Sequence, residues 1–164
     1  NHENNREILI AETEINQIVN VFNVKNCVIQ IKGKVNAISL GSSPPTLSHP
    51  ISDSRIAIVN CTKTSLLIDS TVSSLAISTS ASFIVQILGK VPTILIDGTD
   101  CGQIYLSKDS LDVEIVTAKS SSINVSLPVE GEEEGIFVER AVPEQMKTVV
   151  KGGKLVTTIV EHSG

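Results

Sequence analysis

Tryptophan is absent, and only Phe22, Phe83, Phe137 and Tyr105 carry aromatic rings, 2% of the 164 residues. That leaves little to stack on exposed bases. A net charge of −5 also disfavours contact with a phosphate backbone, so nucleic acid is not an expected partner. No run approaches the roughly 18 apolar residues of a membrane span, and the opening NHENNREILI lacks a basic-then-apolar signal pattern. Membrane insertion is therefore not expected. Cys27, Cys61 and Cys101 are odd in number, without CxxC spacing or a nearby histidine. They read as free thiols of a reducing compartment, not as a zinc site, and the chain is expected to be soluble and cytosolic. The first residue is not methionine, so the sequence reads as a fragment of something longer. His2, His49 and His162 are scattered, and no GxSxG, Walker or HExxH pattern occurs, so neither an enzyme nor a cofactor is expected.

What is present is branched and aliphatic. Hydrophobic residues make up 41%, and with so few rings the core must be Ile, Val and Leu, which suit pleated strands. Short apolar or alternating segments centre on Leu9, Val19, Ile29, Ile38, Ala57, Leu67, Ala76, Val85, Leu95, Tyr105, Glu114 and Asn124, mostly about nine or ten residues apart. Polar residues and glycine fill the gaps. Such spacing suits a sandwich or a solenoid.

An internal echo favours the solenoid. VIQIKGKVNAISL at 28–40 and IVQILGKVPTILI at 84–96 share Gln, Ile, Gly, Lys, Val and Ile at equivalent places. The echo is offset by 56 residues. With two strands in a coil of about 19 residues, that is close to three coils, so equivalent residues would stack on one face. The twelve segments then predict an all-β parallel β-helix of about six coils over 1–140. GSSPPTLSHPISDS at 41–54 interrupts the spacing and reads as a protruding loop or an irregular coil, because proline donates no backbone hydrogen. PVEGEEEG at 128–135 ends the repeats, its glutamates reading as a solvated run more readily than as an acidic contact. In the remaining segment, 141–164, MKTVV and KLVTTIV flank Lys151-Gly152-Gly153-Lys154, a hairpin whose glycines supply the positive φ of a tight turn. It would cap the solenoid's open edge or pair with a second subunit.

The phrases QIKGKVNAI (30–38), LGKVPTILIDGTD (88–100), IYLSKDSLDVEIVTAKSSSINVSLP (104–128), VPEQMK (142–147) and KLVTTIVEHSG (154–164) resemble the C-terminal domain of cyclase-associated protein, an actin-monomer-binding regulator also called adenylyl cyclase-associated protein. The resemblance implies a right-handed parallel β-helix and a homodimer made by exchanging C-terminal hairpins, with Leu155, Val156, Thr157, Thr158, Ile159 and Val160 pairing with the partner. It implies binding to monomeric actin in the ADP form and promotion of exchange for ATP, an indirect link to adenylyl cyclase and cofilin, and a cytoplasmic, cytoskeleton-associated location. The 41–54 stretch, an insertion of roughly eighteen residues judged from the doubled strand interval, departs from the family pattern as read here.

Lys32, Lys34 and Lys90, with Asn36 in the first GK phrase, would offer cations to an acidic partner such as actin. Solvated turn lysines that keep edges from aggregating are the alternative. Thr99, Asp100, Tyr105, Ser107 and Lys108 form a second candidate patch. Burial of Tyr105 and Asx-turn bonding by Asp97 and Asp100 would explain these residues without a partner, and a metal at the paired aspartates lacks further ligands. Pro143, Glu144 and Gln145 are a candidate contact by resemblance, or a rigid connector. Glu161 and His162 would lie near bound actin, or form a frayed tail. A rival reading, a tubulin-cofactor-C-like β-helix acting on a GTPase, requires an arginine finger, and the chain has only Arg6, Arg55 and Arg140. An actin-sequestering scaffold without exchange activity is the other alternative.

Overall fold

The computed structural model describes residues 2–3, 7–11, 20–22, 24–40, 56–59, 62–131, 133 and 135–160. The predicted centre at Val19, the loop 41–54, Glu161 and His162 lie outside them. Each of the other predicted segment centres falls within a strand.

Along one face, β2 (Glu7–Ile10), the start of β5 (Val28–Leu40), the start of β7 (Thr62–Ser78), β8 (Ala81–Ile87), β10 (Asp100–Tyr105) and β12 (Ser121–Pro128) stack in parallel. β1 (His2–Glu3) and β4 (Val24–Lys25) precede this face, and Lys25 pairs with Thr62. The second face contains β3 (Asn20–Phe22), β6 (Ile56–Val59), the ends of β5 and β7, β9 (Thr93–Asp97) and β11 (Glu114–Ala118). The result is the expected parallel β-solenoid, with six stacked strands on each face among the described residues.

The pleat alternates side chains in and out, and stacked turns place like on like. Ile29, Leu66, Val85, Ile104 and Val125 form one buried ladder. On the second face Leu75 stacks on Ile94 and Ile77 on Ile96. Each fully buried aliphatic side chain contributes roughly 1.5–3 kcal/mol against the unfolded chain. Among the described core residues the one aromatic ring is that of Phe83.

Corners recur as strictly as strands. Asn26, Lys63, Ser82, Cys101 and Ser122 all have φ between 50° and 56°, and the strand registers place Lys63, Ser82, Cys101 and Ser122 at equivalent points of successive turns. A second corner repeats the left-handed backbone at Thr79, Gly98 and Lys119. Left-handed backbone costs a non-glycine residue about 1–2 kcal/mol, which the ladder hydrogen bonds on either side must offset.

The echoed phrases are in register, but two levels apart instead of three coils. Val28 pairs with Ser65, and Ser65 with Ile84. The first step is long because it contains β6, which pairs on the second face with both β3 and the end of β5. The doubled interval therefore contributes a further strand to the second face.

β13 (Phe137–Ala141) turns back antiparallel on β12 and covers that end of the first face. Beyond it, β14 (Met146–Lys151) and β15 (Lys154–Ile159) form the predicted hairpin as a separate two-stranded sheet. Gly152 and Gly153 have φ of 55° and 73°, the double positive φ of a type I′ turn.

Candidate functional site

The two GK phrases form one polar corner. Gly33 N–H donates to Asp69 Oδ2 at 2.8 Å, and Lys90 N–H donates to Ser70 Oγ at 3.0 Å. Thr71 N–H donates to the Lys90 carbonyl. A Cβ on Gly89 would overlap Ser70 Oγ and lie 2.5 Å from the Asp69 carbonyl oxygen, so the phrase needs glycine for close backbone approach. The next turn adds Ser107 and Ser110, whose hydroxyls both donate to the Gly89 carbonyl, while Ser110 Oγ also accepts from Val91 N–H at 3.1 Å. Ser110 is fully buried.

Lys34 and Lys90 both line one cavity of about 350 Å³, together with Gly33, Asp69, Ser70, Thr71, Val72 and Pro92. Lys34 and Lys90 are exposed. The Lys90 ammonium donates to Asp112 Oδ2 at 2.8 Å. That hydrogen bond, and next the charge of Lys90, hold the Asp112 carboxyl below its ordinary value. Lys32 is exposed on the same strand, and Asn36 lies further along it. At this corner the two lysines stand beside two carboxylates, Asp69 in the cavity lining and Asp112 on the Lys90 ammonium.

The second candidate patch divides. Ser107 and Lys108 follow β10 beside the GK corner, and Lys108 is exposed. Tyr105, at the end of β10, packs edge-on against Phe137 with centroids 5.3 Å apart. Thr99 and Asp100 lie at the opposite end of β10, about 17 Å away at the strand rise. Thr99 is only 1% exposed, which corrects its assignment to a surface patch. Its hydroxyl donates to the Asp97 carbonyl and accepts from Ser80 N–H, and its own N–H donates to Ser120 Oγ. Ser80 and Ser120 repeat the same bond to the carbonyl two residues back, so Thr99 is one rung of a hydroxyl ladder inside the corner.

Asp100 instead accepts from Ser121 Oγ at 2.6 Å. At that same corner Glu144 Oε1 accepts from Ser122 N–H, and Val142 N–H donates to the Ile123 carbonyl. The exposed segment Pro143–Gln145 is thereby fastened to the last turn. It borders a second cavity, of about 550 Å³, with Ile159 and Val160 of the hairpin. Leu155, Val156, Thr157, Thr158, Ile159 and Val160 are all exposed.

Asp69, Ser70, Ser110 and Asp112 escaped the sequence reading. The first three support the lysines through backbone bonds that no motif records. Asp112 comes 22 residues after Lys90, a separation that has meaning only once the turn length at this level is known. Arg140 is exposed on β13, its Nη1 donating to the Glu139 carbonyl. Among the described residues no His, Cys, Asp and Glu cluster is placed to hold a metal, and no helix is long and apolar enough to cross a membrane.

A parallel β-solenoid with a lysine-bearing corner, a fastened Pro-Glu-Gln segment and a separate hairpin defines an all-β solenoid class. The family model described as adenylate cyclase associated (CAP) C terminal matches residues 1–47 and 54–162. The chain belongs to this family. Residues 1–164 are 43% identical to adenylyl cyclase-associated protein 1 of Bos taurus, covering 100% of this chain and 30% of that protein. Adenylyl cyclase-associated protein of Dictyostelium discoideum is 43% identical over 97% of this chain and 30% of its own length. A crystal structure of cyclase-associated protein from Cryptosporidium parvum is similar with a TM-score of 0.73 and 30% identity, covering 94% of this chain and 83% of that one. The chain thus spans about 30% of the length of these curated relatives. Within 41–54 the family model omits only 48–53, so most of the stretch read as a departure from the family lies within its pattern.

Proposed function

We propose that this chain binds monomeric actin in its ADP form and promotes exchange of the bound nucleotide, so that monomers are recycled for filament growth. The observation carrying this reading is that Lys34 and Lys90 line one cavity in a member of this family. Lysine ammonium groups offered to an acidic partner attract it and speed encounter. Lys32, Asn36, Ser107 and Lys108 extend the same corner. Asp100, Tyr105, Pro143, Gln145, Glu161 and His162 belong to the proposed contact as secondary members. No bond is made or broken by this chain: exchange accelerates when it binds the open, nucleotide-releasing form of the partner more tightly than the closed form.

The working unit in this reading is a homodimer. The hairpin has one apolar face, where Met146 stands opposite Ile159 and Val150 opposite Leu155. Val150 and Leu155 are 71% and 75% exposed. An isolated two-stranded hairpin is marginal in water, and a second copy would cover this face and its open edges. A cytoplasmic, cytoskeleton-associated location and an indirect link to adenylyl cyclase and cofilin belong to the same reading.

The test is titration calorimetry of the domain against ADP-loaded and ATP-loaded actin monomers. Tighter binding to the ADP form is expected, weakened at least several-fold by Lys34→Glu with Lys90→Glu. Equal affinity for both forms, or a double variant that binds like the native domain, would refute the assignment.

A further inference from the structure

The salt bridge between Lys90 and Asp112 stands where a partner's acid would have to bind. Lys90 shares its cavity with Lys34, and the acidic residue among the cavity lining, Asp69, already accepts from Gly33 N–H. The Lys90 ammonium instead reaches outward to Asp112 at 2.8 Å, with both side chains more than half exposed. Thr71 also lines the cavity, and its Oγ1 is the one buried side-chain polar atom among the described residues without a hydrogen-bond partner. The neighbouring hydroxyls of Ser70, Ser107 and Ser110 are all engaged. The corner therefore holds a positioned ammonium and a second cation beside one concave space, with a surface carboxylate already on the ammonium and a buried, unpaired hydroxyl behind it.

We propose that Asp112 is an internal stand-in for a carboxylate of the bound partner. In the free domain it holds Lys90 in place, and on binding Lys90 passes to an acidic side chain of the actin monomer that enters the cavity beside Lys34. The inference rests on the actin reading above and adds to it a residue that competes with the partner. A carboxylate is the matching chemistry because one already satisfies Lys90 with good geometry. An exposed ion pair is weak enough to be exchanged at little cost, so Asp112 orders the lysine without locking it. Its removal should favour the partner by a modest factor.

The experiment measures affinity for ADP-actin monomers with the whole domain in four forms: native, Asp112→Asn, Lys90→Gln, and the two combined. Asp112→Asn is expected to tighten binding about two- to fivefold, the range that a weak exposed pair allows. Lys90→Gln weakens binding, and adding Asp112→Asn to it changes affinity by less than about 1.5-fold, since the competition acts only through Lys90. Asp109→Asn, an equal change in net charge nearby, separates this from general attraction and should have the smaller effect. A neutral or weakening Asp112→Asn, or the same gain without Lys90, overturns the proposal while the actin reading stands. If the native domain binds no actin, that reading fails first and this one falls with it.

Discussion

The ring of Phe83 occupies the space where a side chain on Gly102 would begin. The two residues are paired on adjacent turns, and a Cβ at Gly102 would overlap Phe83 Cε1 and Cζ and lie 3.0 Å from Ile123 Cδ1. The ladder Thr64, Phe83, Gly102, Ile123 thus admits its large ring by leaving the next rung empty. Gly102→Ala should destabilise the domain by about 1–3 kcal/mol through overpacking, read as a lower urea midpoint with an unchanged slope. A neutral substitution would show that the ring has room to move.

The Thr99 ladder makes a separable prediction. Thr99→Ala removes a hydroxyl that serves both Asp97 and Ser80, and should cost about 1–3 kcal/mol by leaving buried backbone groups underused. Affinity for the partner should not change, because the side chain does not reach the surface. Loss of affinity at full stability would return Thr99 to the contact.

The architecture was legible in the sequence, while the depth of its turns was only partly so. Segments centred on Leu67, Ala76, Val85 and Leu95 are strands because short β-branched runs at even spacing have few other ways to bury one face. The echo also placed Lys34 and Lys90 together. What periodicity could not reveal was that β6 joins the second face within the same long turn, which makes the 56-residue offset two levels. Thr99 was misplaced for a related reason: in the interior of a strand alternation separates inside from outside, but at a corner a hydroxyl can turn inward and satisfy the backbone. Asp112 depends on a tertiary contact that leaves no local pattern.

The hairpin assignment is testable through its apolar face. Val150→Asp combined with Leu155→Asp places two charges side by side on strands that are fully exposed in one copy, so the fold of a single copy should survive while association does not. Light scattering should give a dimer for the native domain and a monomer for the variant. A variant that stays dimeric would locate the contact elsewhere.

The ion pair at the GK corner has a pH signature. Lys90 lowers the Asp112 carboxyl from its ordinary value of 3.8. A depressed carboxylate stabilises the folded state above its unfolded value, and that contribution is lost as pH falls through the folded value. Carboxyl chemical shifts followed by NMR should therefore give Asp112 a midpoint below 3.8, moving back towards it in Lys90→Gln. An unchanged midpoint in that variant would mean that Lys90 does not hold the carboxylate in solution.

The central claim is that this solenoid speeds nucleotide release from its partner, and the most direct measurement is the rate at which fluorescent nucleotide leaves ADP-actin monomers as the domain is titrated. The account predicts acceleration that saturates with domain concentration and is lost in Lys34→Glu with Lys90→Glu. Slowed release with clear binding would contradict it and identify a sequestering domain, and an unchanged rate without binding would remove actin as the partner.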